Sequence, residues 1–340
     1  MGRKSITIRD VADKANVSIA TVSRVLNGHT VAGNSTCQKV LRAARQVGYI
    51  AADPNQKPRN NEKTVFAIIH DKNIAYMEQV VKGAHEAAKK LGFNIVVHIV
   101  RDSQITANAF LKAAKNIAAC GMLFVSACVP TSVMSTLEAS IPVVKCIDVL
   151  DNDNVTCIGI NERESFRSLT SYLVSTGRKK IALVRSLLMG NIVTYRESGF
   201  LEVMRANNLP VNFEWITPNI KRNGEVIDFN HVLYHVRTLV NGANRPDAIM
   251  CNIDTDAAMV LKAVLSLGLR VPEDIAITGY YNLLASQLVT PELTTVETFP
   301  TDIGYSAMQM LAERIADPHL PHTKLYTPAE VIVRKSTTVF

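Results

Sequence analysis

The 340-residue chain lacks any run of about 18 consecutive uncharged apolar residues. A helix that crosses a bilayer needs roughly 20 such residues, so no membrane span is predicted. Its first ten residues, MGRKSITIRD, contain no apolar stretch typical of a secretory signal. We therefore expect a cytoplasmic protein that does not contact a membrane.

Metal-binding and catalytic motifs are also missing. The six cysteines have no C-x-x-C spacing and lie mostly in apolar runs such as VVKCI, which predicts buried free thiols. The eight histidines show no metal spacing, and His98, inside an apolar strand, is predicted to be a core residue. The sequence has no G-x-S-x-G, H-E-x-x-H or P-loop, and no G-x-G-x-x-G after a strand. We expect neither an enzyme nor a bound cofactor or metal.

Residues 7–28, TIRDVADKANVSIATVSRVLNG, predict two short amphipathic helices. The apolar positions lie on one face of each helix: Ile8, Val11, Ala12 and Ala15 in the first, Val22, Val25 and Leu26 in the second. Asn16-Val17-Ser18 forms the turn between them, with Ser18 as the N-cap. A third helix, with Val40, Leu41, Ala44 and Val47 as its buried stripe, would complete a helix-turn-helix domain.

The opposite face of the second helix carries Ala20, Ser23, Arg24 and Asn27, with Ile19 at its leading end. Such a face fits the major groove of DNA, where an arginine can bind guanine and small apolar groups can contact a thymine methyl. The alternative is a solvated helix in a small all-α domain. That alternative does not account for the third helix or for the charge distribution.

Positive charge is confined to the N-terminal part of the chain. Residues 1–63 contain eleven Lys/Arg and four Asp/Glu, a balance of +7, whereas the remaining 277 residues contain 26 of each sign. A basic module on a neutral body is typical of a domain that neutralises DNA phosphates. A generic basic surface is the alternative, but no basic amphipathic helix of the membrane-binding type supports it.

After residue 63, apolar β-branched strands alternate with helices. Strands are predicted at 65–70, 94–100, 121–127 and 142–147, and then at KIALV, DAIMCN and DIAITGY; helices are predicted near 77–91, 105–119, 194–207, 229–240 and 254–267. Continuous apolar strands between helices indicate parallel sheets covered on both faces. The length fits two doubly wound subdomains, so the predicted fold is α/β with an all-α N-terminal headpiece.

The run from Asp10 to Asn27, D-V-A-x-x-A-x-V-S-x-x-T-V-S-R-V-L-N, resembles the headpiece of the LacI/GalR family of bacterial transcriptional regulators. Val47-Gly48-Tyr49 is a further family signature, whereas Cys37 stands where the family usually has an arginine. The resemblance implies base contacts from Ile19, Ala20 and Arg24. It implies that residues holding DNA phosphates include Thr7, Ser18, Thr21 and Ser23, and Asn27 completes the predicted DNA-binding set.

The resemblance also implies a domain organisation. We expect a headpiece at 1–50, a linker at 51–63 and a two-lobed, periplasmic-binding-protein-like core at 64–340. The first lobe would comprise about 64–160 and 297–325, and the second about 161–290 and 326–340. Family linkers usually form a hinge helix with an alanine-arginine pair and a leucine that wedges into the minor groove. Here those positions hold Asn55, Gln56 and Pro58, and the prolines disfavour a helix.

An effector site is expected between the lobes, at the carboxyl ends of the strands. Arg196 matches the arginine of the family's R-x-x-G-F motif, and Asn252 matches a strand-end asparagine. Asp71, Arg101, Ser126 and Asp148 also follow strands. Asp71 and Arg101 could instead be solvated loop ends or a surface ion pair, and Asp148 and Asn252 could be helix caps. Tyr281 replaces the family's usual aspartate and completes the predicted site.

The predicted function is transcriptional regulation, most often repression, by a homodimer on a pseudo-palindromic operator. A small polar effector, a sugar or a nucleoside-like molecule, would bind between the lobes and change operator affinity. The alternative is a ligand-independent architectural or anti-repressor protein, which Tyr281 and Pro58 favour. A sugar-binding protein with an inert headpiece is a third option, against which the intact Arg24 argues. No leucine-heptad tail is present, so a dimer is favoured over a tetramer.

Overall fold

The computed structural model describes residues 7–26, 34–47, 63–70, 74–100, 106–125, 129–147, 149, 154–185, 192–217, 222–223, 226–242 and 244–338. The chain divides into two compact units, Met1–Glu62 and Lys63–Phe340. The linker prediction for 51–63 therefore lies almost entirely outside the described residues. Each unit is described below by itself.

The N-terminal unit contains three helices, α1 (Ile8–Ala15), α2 (Ile19–Leu26) and α3 (Asn34–Val47). They enclose a small apolar core of Val11, Ala12, Val22, Val40, Ala43 and Ala44. Together with the partly buried residues packed against them, Ile8, Ala15, Val25 and Val47, they recur every three or four positions within each helix, so each helix contributes one face. The prediction of two amphipathic helices followed by a third is confirmed.

The second unit begins with one lobe built on a parallel sheet. Its elements are β1 (Lys63–His70), α4 (Ile74–Leu91), β2 (Phe93–Val100), α5 (Ala107–Asn116), β3 (Ala119–Val125), α6 (Thr131–Glu138), β4 (Val143–Ile147) and β5 (Thr156–Ile160). We call this the first lobe.

The chain then forms a second lobe. Its elements are α7 (Glu162–Ser175), β6 (Ile181–Val184), α8 (Ile192–Ala206), β7 (Ile216–Thr217), β8 (Arg222–Asn223), β9 (Val226–Ile227), α9 (Phe229–Val240), β10 (Ala248–Cys251), α10 (Asp254–Ser266), β11 (Ala276–Thr278) and α11 (Ala285–Leu288). The last elements are β12 (Thr295–Glu297), α12 (Pro300–Ala316), β13 (Lys324–Thr327) and β14 (Glu330–Ile332).

Each lobe has its own parallel sheet. The order in the first is β13-β5-β4-β3-β1-β2, and in the second β11-β10-β6-β7. The chain passes between the lobes after β5, between β12 and α12, and after β13. Strands β12 and β14 pair antiparallel along these crossings. Helix α12 returns to the first lobe, where it packs against α4 and strands β3 to β5.

Central strands of the first lobe are buried on both faces, as their apolar runs predict. In β1, Val65, Ala67 and Ile69 belong to the cluster that includes α4 and α12, whereas Phe66 and Ile68 face α5 and α6. The apolar strand β2 is different, because it lies at the sheet edge, and Val96, Val97 and Ile99 are exposed. The prediction that His98 is a core residue is wrong for the same reason, since it is exposed there.

Four cysteines have described side chains, and all four are free thiols. Cys146, Cys157 and Cys251 are buried and Cys120 is half-buried. The predicted state is confirmed for these four, and Cys37 and Cys128 have no described side chain. Burial raises the pKa of the Cys120, Cys146 and Cys251 thiols, which keeps them protonated.

Candidate nucleic-acid interface and inter-lobe site

The turn between α1 and α2 is set by local hydrogen bonds. Asn16 ends α1 in the left-handed conformation, with φ 53°. The Ser18 side chain then accepts a hydrogen bond from the Thr21 backbone N–H at 3.1 Å, so the predicted N-cap is confirmed. At the start of α1, the Asp10 carboxylate accepts a hydrogen bond from the Thr7 backbone N–H at 2.6 Å. These contacts define where each of the two helices begins.

The first turn of α2 is presented to solvent. Val22 is fully buried, whereas Ser18, Ile19 and Ala20 are exposed, with 42% of the Ile19 surface accessible. Leaving an isoleucine exposed beside two small residues costs solvation free energy that contact with an apolar base group would recover. This end of the helix is therefore suited to enter a groove.

The other predicted DNA-binding residues are placed as follows. Thr7 is exposed, and Thr21 and Ser23 are half-buried on α2. Arg24 lies in α2, but its side chain is outside the described part of the chain, as is all of Asn27. Exposed basic residues elsewhere in this unit are Arg9, Lys14, Lys39 and Arg42. The exposed surface of this unit therefore carries positive side chains on α1 and α3.

A second candidate site lies between the lobes, around Arg196 of α8. Its guanidinium has no exposed surface. The Nε donates a hydrogen bond to the Glu162 carboxylate at 2.6 Å, Nη1 donates to the Asn252 backbone oxygen at 2.6 Å, and Nη2 donates to the Tyr281 hydroxyl at 2.8 Å. Each of the three guanidinium nitrogens therefore has an acceptor within the protein.

Aromatic rings enclose the same guanidinium. Its central carbon lies 3.7 Å from the ring centre of Tyr280, 4.8 Å from that of Tyr281 and 5.4 Å from that of Phe166. Cation–π attraction is strongest where water is excluded. The ring of Tyr281 also packs at 4.1 Å, centre to centre, against Tyr76 of α4. Tyr281 therefore joins the arginine of the second lobe to a helix of the first.

Glu162 compensates the buried charge of Arg196. It is the first residue of α7, where Asn161 caps the helix through the Glu164 N–H and the helix dipole favours a carboxylate. It also accepts a hydrogen bond from the Tyr280 hydroxyl at 3.1 Å. Burial alone lowers the pKa of Arg196, but the adjacent Glu162 carboxylate raises it above its ordinary value. Burial likewise raises the pKa of Tyr76 and Tyr280, so both phenols stay neutral.

Three of the seven predicted effector residues, Arg196, Asn252 and Tyr281, come together here. Asp71, Arg101, Ser126 and Asp148 lie outside the described residues. The side chain of Asn252 is buried, and neither its oxygen nor its nitrogen has a hydrogen-bond partner among the described residues. The capping alternative for Asn252 is wrong, because Ile253 is the N-cap of α10 and no side chain caps it.

Sequence analysis missed Glu162, Tyr76 and Tyr280 as members of this cluster. Asn161 followed by Glu162 and Glu164 is a helix-start signal that could have located α7. Nothing local marks Tyr76, because its place beside Tyr281 depends on the packing of the two lobes. Within the described ranges, no group of three or more metal-ligating side chains occurs and no helix is long and apolar enough to cross a membrane.

Two family models match this chain. Residues 7–52 match the family model for bacterial regulatory proteins of the lacI family, and residues 170–337 match a periplasmic binding protein-like domain. The HTH-type transcriptional repressor PurR of Histophilus somni (strain 129Pt) is 27% identical over 97% of this chain and 98% of its own length.

Two solved structures share the fold along nearly the whole chain. A transcriptional regulator CelR–cellobiose complex has a TM-score of 0.68 at 22% identity, covering 98% of this chain and 100% of its own. The lac repressor dimer bound to operator and the anti-inducer ONPF has a TM-score of 0.68 at 22% identity, covering 99% and 100%.

Proposed function

Since this chain belongs to the lacI family of bacterial regulatory proteins, we propose that it represses transcription by binding an operator as a homodimer. In this proposal residues 1–50 bind the DNA, and residues 51–63 connect them to the two lobes. The lobes, residues 64–340, form the dimer that brings two headpieces together. The relatives it resembles are transcriptional regulators rather than enzymes.

One observation carries the proposal. The first turn of α2 exposes Ser18, Ile19 and Ala20 on a helix whose other face is anchored by fully buried Val22. Helix-turn-helix proteins contact base edges with the N-terminal residues of the second helix. Thr7, Thr21, Ser23 and Asn27 are proposed to contact the DNA around it, and Arg24 to bind a guanine.

Selection from a random-sequence DNA library with the full chain tests the function, and we expect enrichment of a pseudo-palindrome. On the selected site, Arg24→Ala should cost about 1 to 3 kcal/mol of binding free energy, and much less on random DNA. Arg205→Ala, which removes an exposed arginine of the core, is the control for lost charge. Fluorescence anisotropy measures both. An equal loss on specific and random DNA would mean that Arg24 contacts only phosphate.

Exposed apolar residues of the two-lobed unit support the proposed homodimer. Val97 and Ile99 are exposed on the edge strand β2, and Leu284 and Leu288 are more than half exposed around α11. Exposed apolar surface of this kind is typical of protein interfaces. A solved neighbour, the lac repressor, is described as a dimer on its operator. We propose that a second copy of this chain covers these residues.

Two forms of regulation remain from the sequence analysis. One is control by a sugar or nucleoside-like effector between the lobes, and the CelR neighbour, described as a cellobiose complex, supports it. The other is DNA binding that needs no ligand. Both share operator binding by paired headpieces. The two forms differ in the role that they require of the residues around Arg196.

A further inference from the structure

Each of the three guanidinium nitrogens of Arg196 already donates one hydrogen bond to an acceptor within the protein. Glu162, the Asn252 backbone oxygen and the Tyr281 hydroxyl each accept from one nitrogen, at 2.6 to 2.8 Å. The group lies in the second lobe at the carboxyl ends of β10 and β11, where ligands of open α/β sheets bind. A binding position is thus occupied by a side chain of the same protein.

The backbone places Tyr281 there at some energetic cost. Tyr281 has φ 91° and Asn282 has φ 49°, in a region that residues with a side chain adopt rarely. The Tyr281 N–H donates to the Val296 oxygen at 2.9 Å, and the Asp254 carboxylate accepts from the Leu283 N–H at 2.6 Å. Bonds on both sides of the residue therefore hold the ring in place.

The ring also connects the lobes. Only 2% of Tyr281 is exposed, and its ring packs against Tyr76, which is 1% exposed. Tyr76 is held in turn by a hydrogen bond from the Thr298 hydroxyl at 3.1 Å, in the segment that crosses to α12. A molecule that occupied this position would make the same bridge between the lobes.

We propose that Tyr281 is a built-in occupant of the Arg196 site, which holds the two lobes together without a small molecule. A tethered hydroxyl acts at an effective concentration on the order of millimolar or above. A neutral sugar or nucleoside hydroxyl offers Arg196 no stronger acceptor than Tyr281, so it does not displace the ring. Operator affinity is therefore constant in the presence of such compounds. This inference rests on the proposed function for its DNA readout only.

The side-chain amide of Asn252 defines the competing arrangement. It is buried and without a hydrogen-bond partner among the described residues, so a small ligand beside Tyr281 could use it. In that arrangement the wild-type protein binds a polar compound while Tyr281 stays in place. The experiment must distinguish Tyr281 acting alone from a small ligand that binds beside Tyr281.

Chemical complementation provides the test. Tyr281→Gly removes the ring and suits the positive φ, and p-cresol is the free equivalent of the deleted side chain. We expect the variant to melt several degrees lower and to bind the selected operator at least tenfold more weakly. Millimolar p-cresol should restore most of both losses, and toluene, which lacks the hydroxyl, should restore less. Tyr172→Phe removes a hydroxyl bonded to Thr337 and is the control, with unchanged operator affinity.

The wild-type protein is assayed in parallel with glucose, cellobiose, adenosine, cytidine and adenine. We expect no change in melting temperature and less than a twofold change in operator affinity. The proposal is overturned if one of these compounds binds and shifts operator affinity more than threefold, or if p-cresol stabilises wild type as much as Tyr281→Gly. It is also overturned if Tyr281→Gly matches wild type in both properties.

Two further measurements apply if the variant does not fold or if no DNA sequence is selected. If Tyr281→Gly does not fold, Tyr281→Phe is used, because it keeps the ring and removes only the bond to Arg196. It should then bind operator more weakly than Tyr172→Phe, and equal binding would contradict the proposal. If the chain selects no DNA sequence, the proposed function fails, whereas the melting experiment with p-cresol still decides the role of Tyr281.

Discussion

Two glutamates at the start of α7 have very different surroundings. Glu162 pairs with Arg196, and both side chains are at least 95% buried, whereas Glu164 pairs with Arg167 on the surface. Removing one partner of a buried pair leaves an uncompensated charge, whereas an exposed pair is screened by water. Substituting Glu162 and Glu164 in turn therefore compares a buried ion pair with an exposed one on the same helix.

We predict that Glu162→Gln lowers the free energy of unfolding by about 3 to 5 kcal/mol, because Arg196 keeps its charge without a counterion. Glu164→Gln should change it by less than about 1 kcal/mol. Urea denaturation of the two variants measures the difference. Similar values would show that Glu162 does not compensate the charge of Arg196.

Asp254 is a buried titratable group that holds the loop containing Tyr281 through hydrogen bonds. Its carboxylate accepts hydrogen bonds from the Leu283 N–H at 2.6 Å and the Thr295 hydroxyl at 2.7 Å. Burial raises its pKa to about 7, although these bonds oppose the shift. Because the pKa is higher in the folded state than in the unfolded chain, ionisation costs folding free energy.

The contribution of Asp254 to stability is thus full below about pH 4 and is lost as pH rises through 7. We predict that the wild-type protein loses unfolding free energy between about pH 4 and 7 and that Asp254→Asn reduces this slope, since an amide does not ionise. Each pKa unit corresponds to about 1.4 kcal/mol. Denaturation at several pH values measures it, and parallel curves for the two proteins would assign the slope to other groups.

Helices α4 and α12 cross at two glycines. A β-carbon on Gly83 would lie 1.8 Å from the Thr301 backbone oxygen, and one on Gly304 would lie 1.8 Å from the Val80 backbone oxygen. Neither backbone oxygen can move away without shifting the helix to which it belongs. The close approach places Tyr76, at the start of α4, near the crossing segment that carries Thr298.

Gly304→Ala should therefore force the two helices apart and destabilise the core by about 1 to 3 kcal/mol. Gly242→Ala is the control, because a β-carbon there meets only the Asn244 nitrogen at 3.9 Å. Thermal and urea denaturation measure the effect. If Gly304→Ala is as stable as Gly242→Ala, the crossing is more adaptable than the contact distances imply.

At the level of elements, periodicity predicted the headpiece helices and seven of the fourteen core strands that the structure describes, β1 to β4, β6, β10 and β11. It missed α6, α7 and α11, and it treated β2 like the central strands. We propose that strand β2 is apolar because a second copy of this chain covers it, whereas the central strands are apolar because helices of the same chain cover them. An apolar run predicts that a strand is covered, but it does not show whether the same chain or a second chain covers it.

For the whole molecule, the exposed residues of β2 and α11 predict that a dimer forms. Ile99→Lys and Leu288→Lys each place a charge in the proposed interface and should raise the dimer dissociation constant at least about tenfold, equivalent to about 1.4 kcal/mol. Operator affinity should fall with it, because one headpiece binds half a site. Leu320→Lys, exposed elsewhere in the first lobe, is the control.

Sedimentation equilibrium gives the dissociation constants, and anisotropy gives operator affinity on the same samples. A wild-type protein that stays monomeric at micromolar concentration would contradict the homodimer. So would lysine variants that associate as strongly as Leu320→Lys.

The sequence by itself determined the headpiece and the alternating core, because helix faces, caps and buried strands depend on residues close together in the chain. It also identified Arg196, Asn252 and Tyr281 as neighbours of one site, and Tyr281 as a departure. Only the tertiary structure decided what Arg196 binds. Its partners Glu162 and Tyr281 are 34 and 85 residues away, and Tyr76 belongs to the other lobe. Contacts at such separations depend on how two folded lobes pack, which no local pattern encodes.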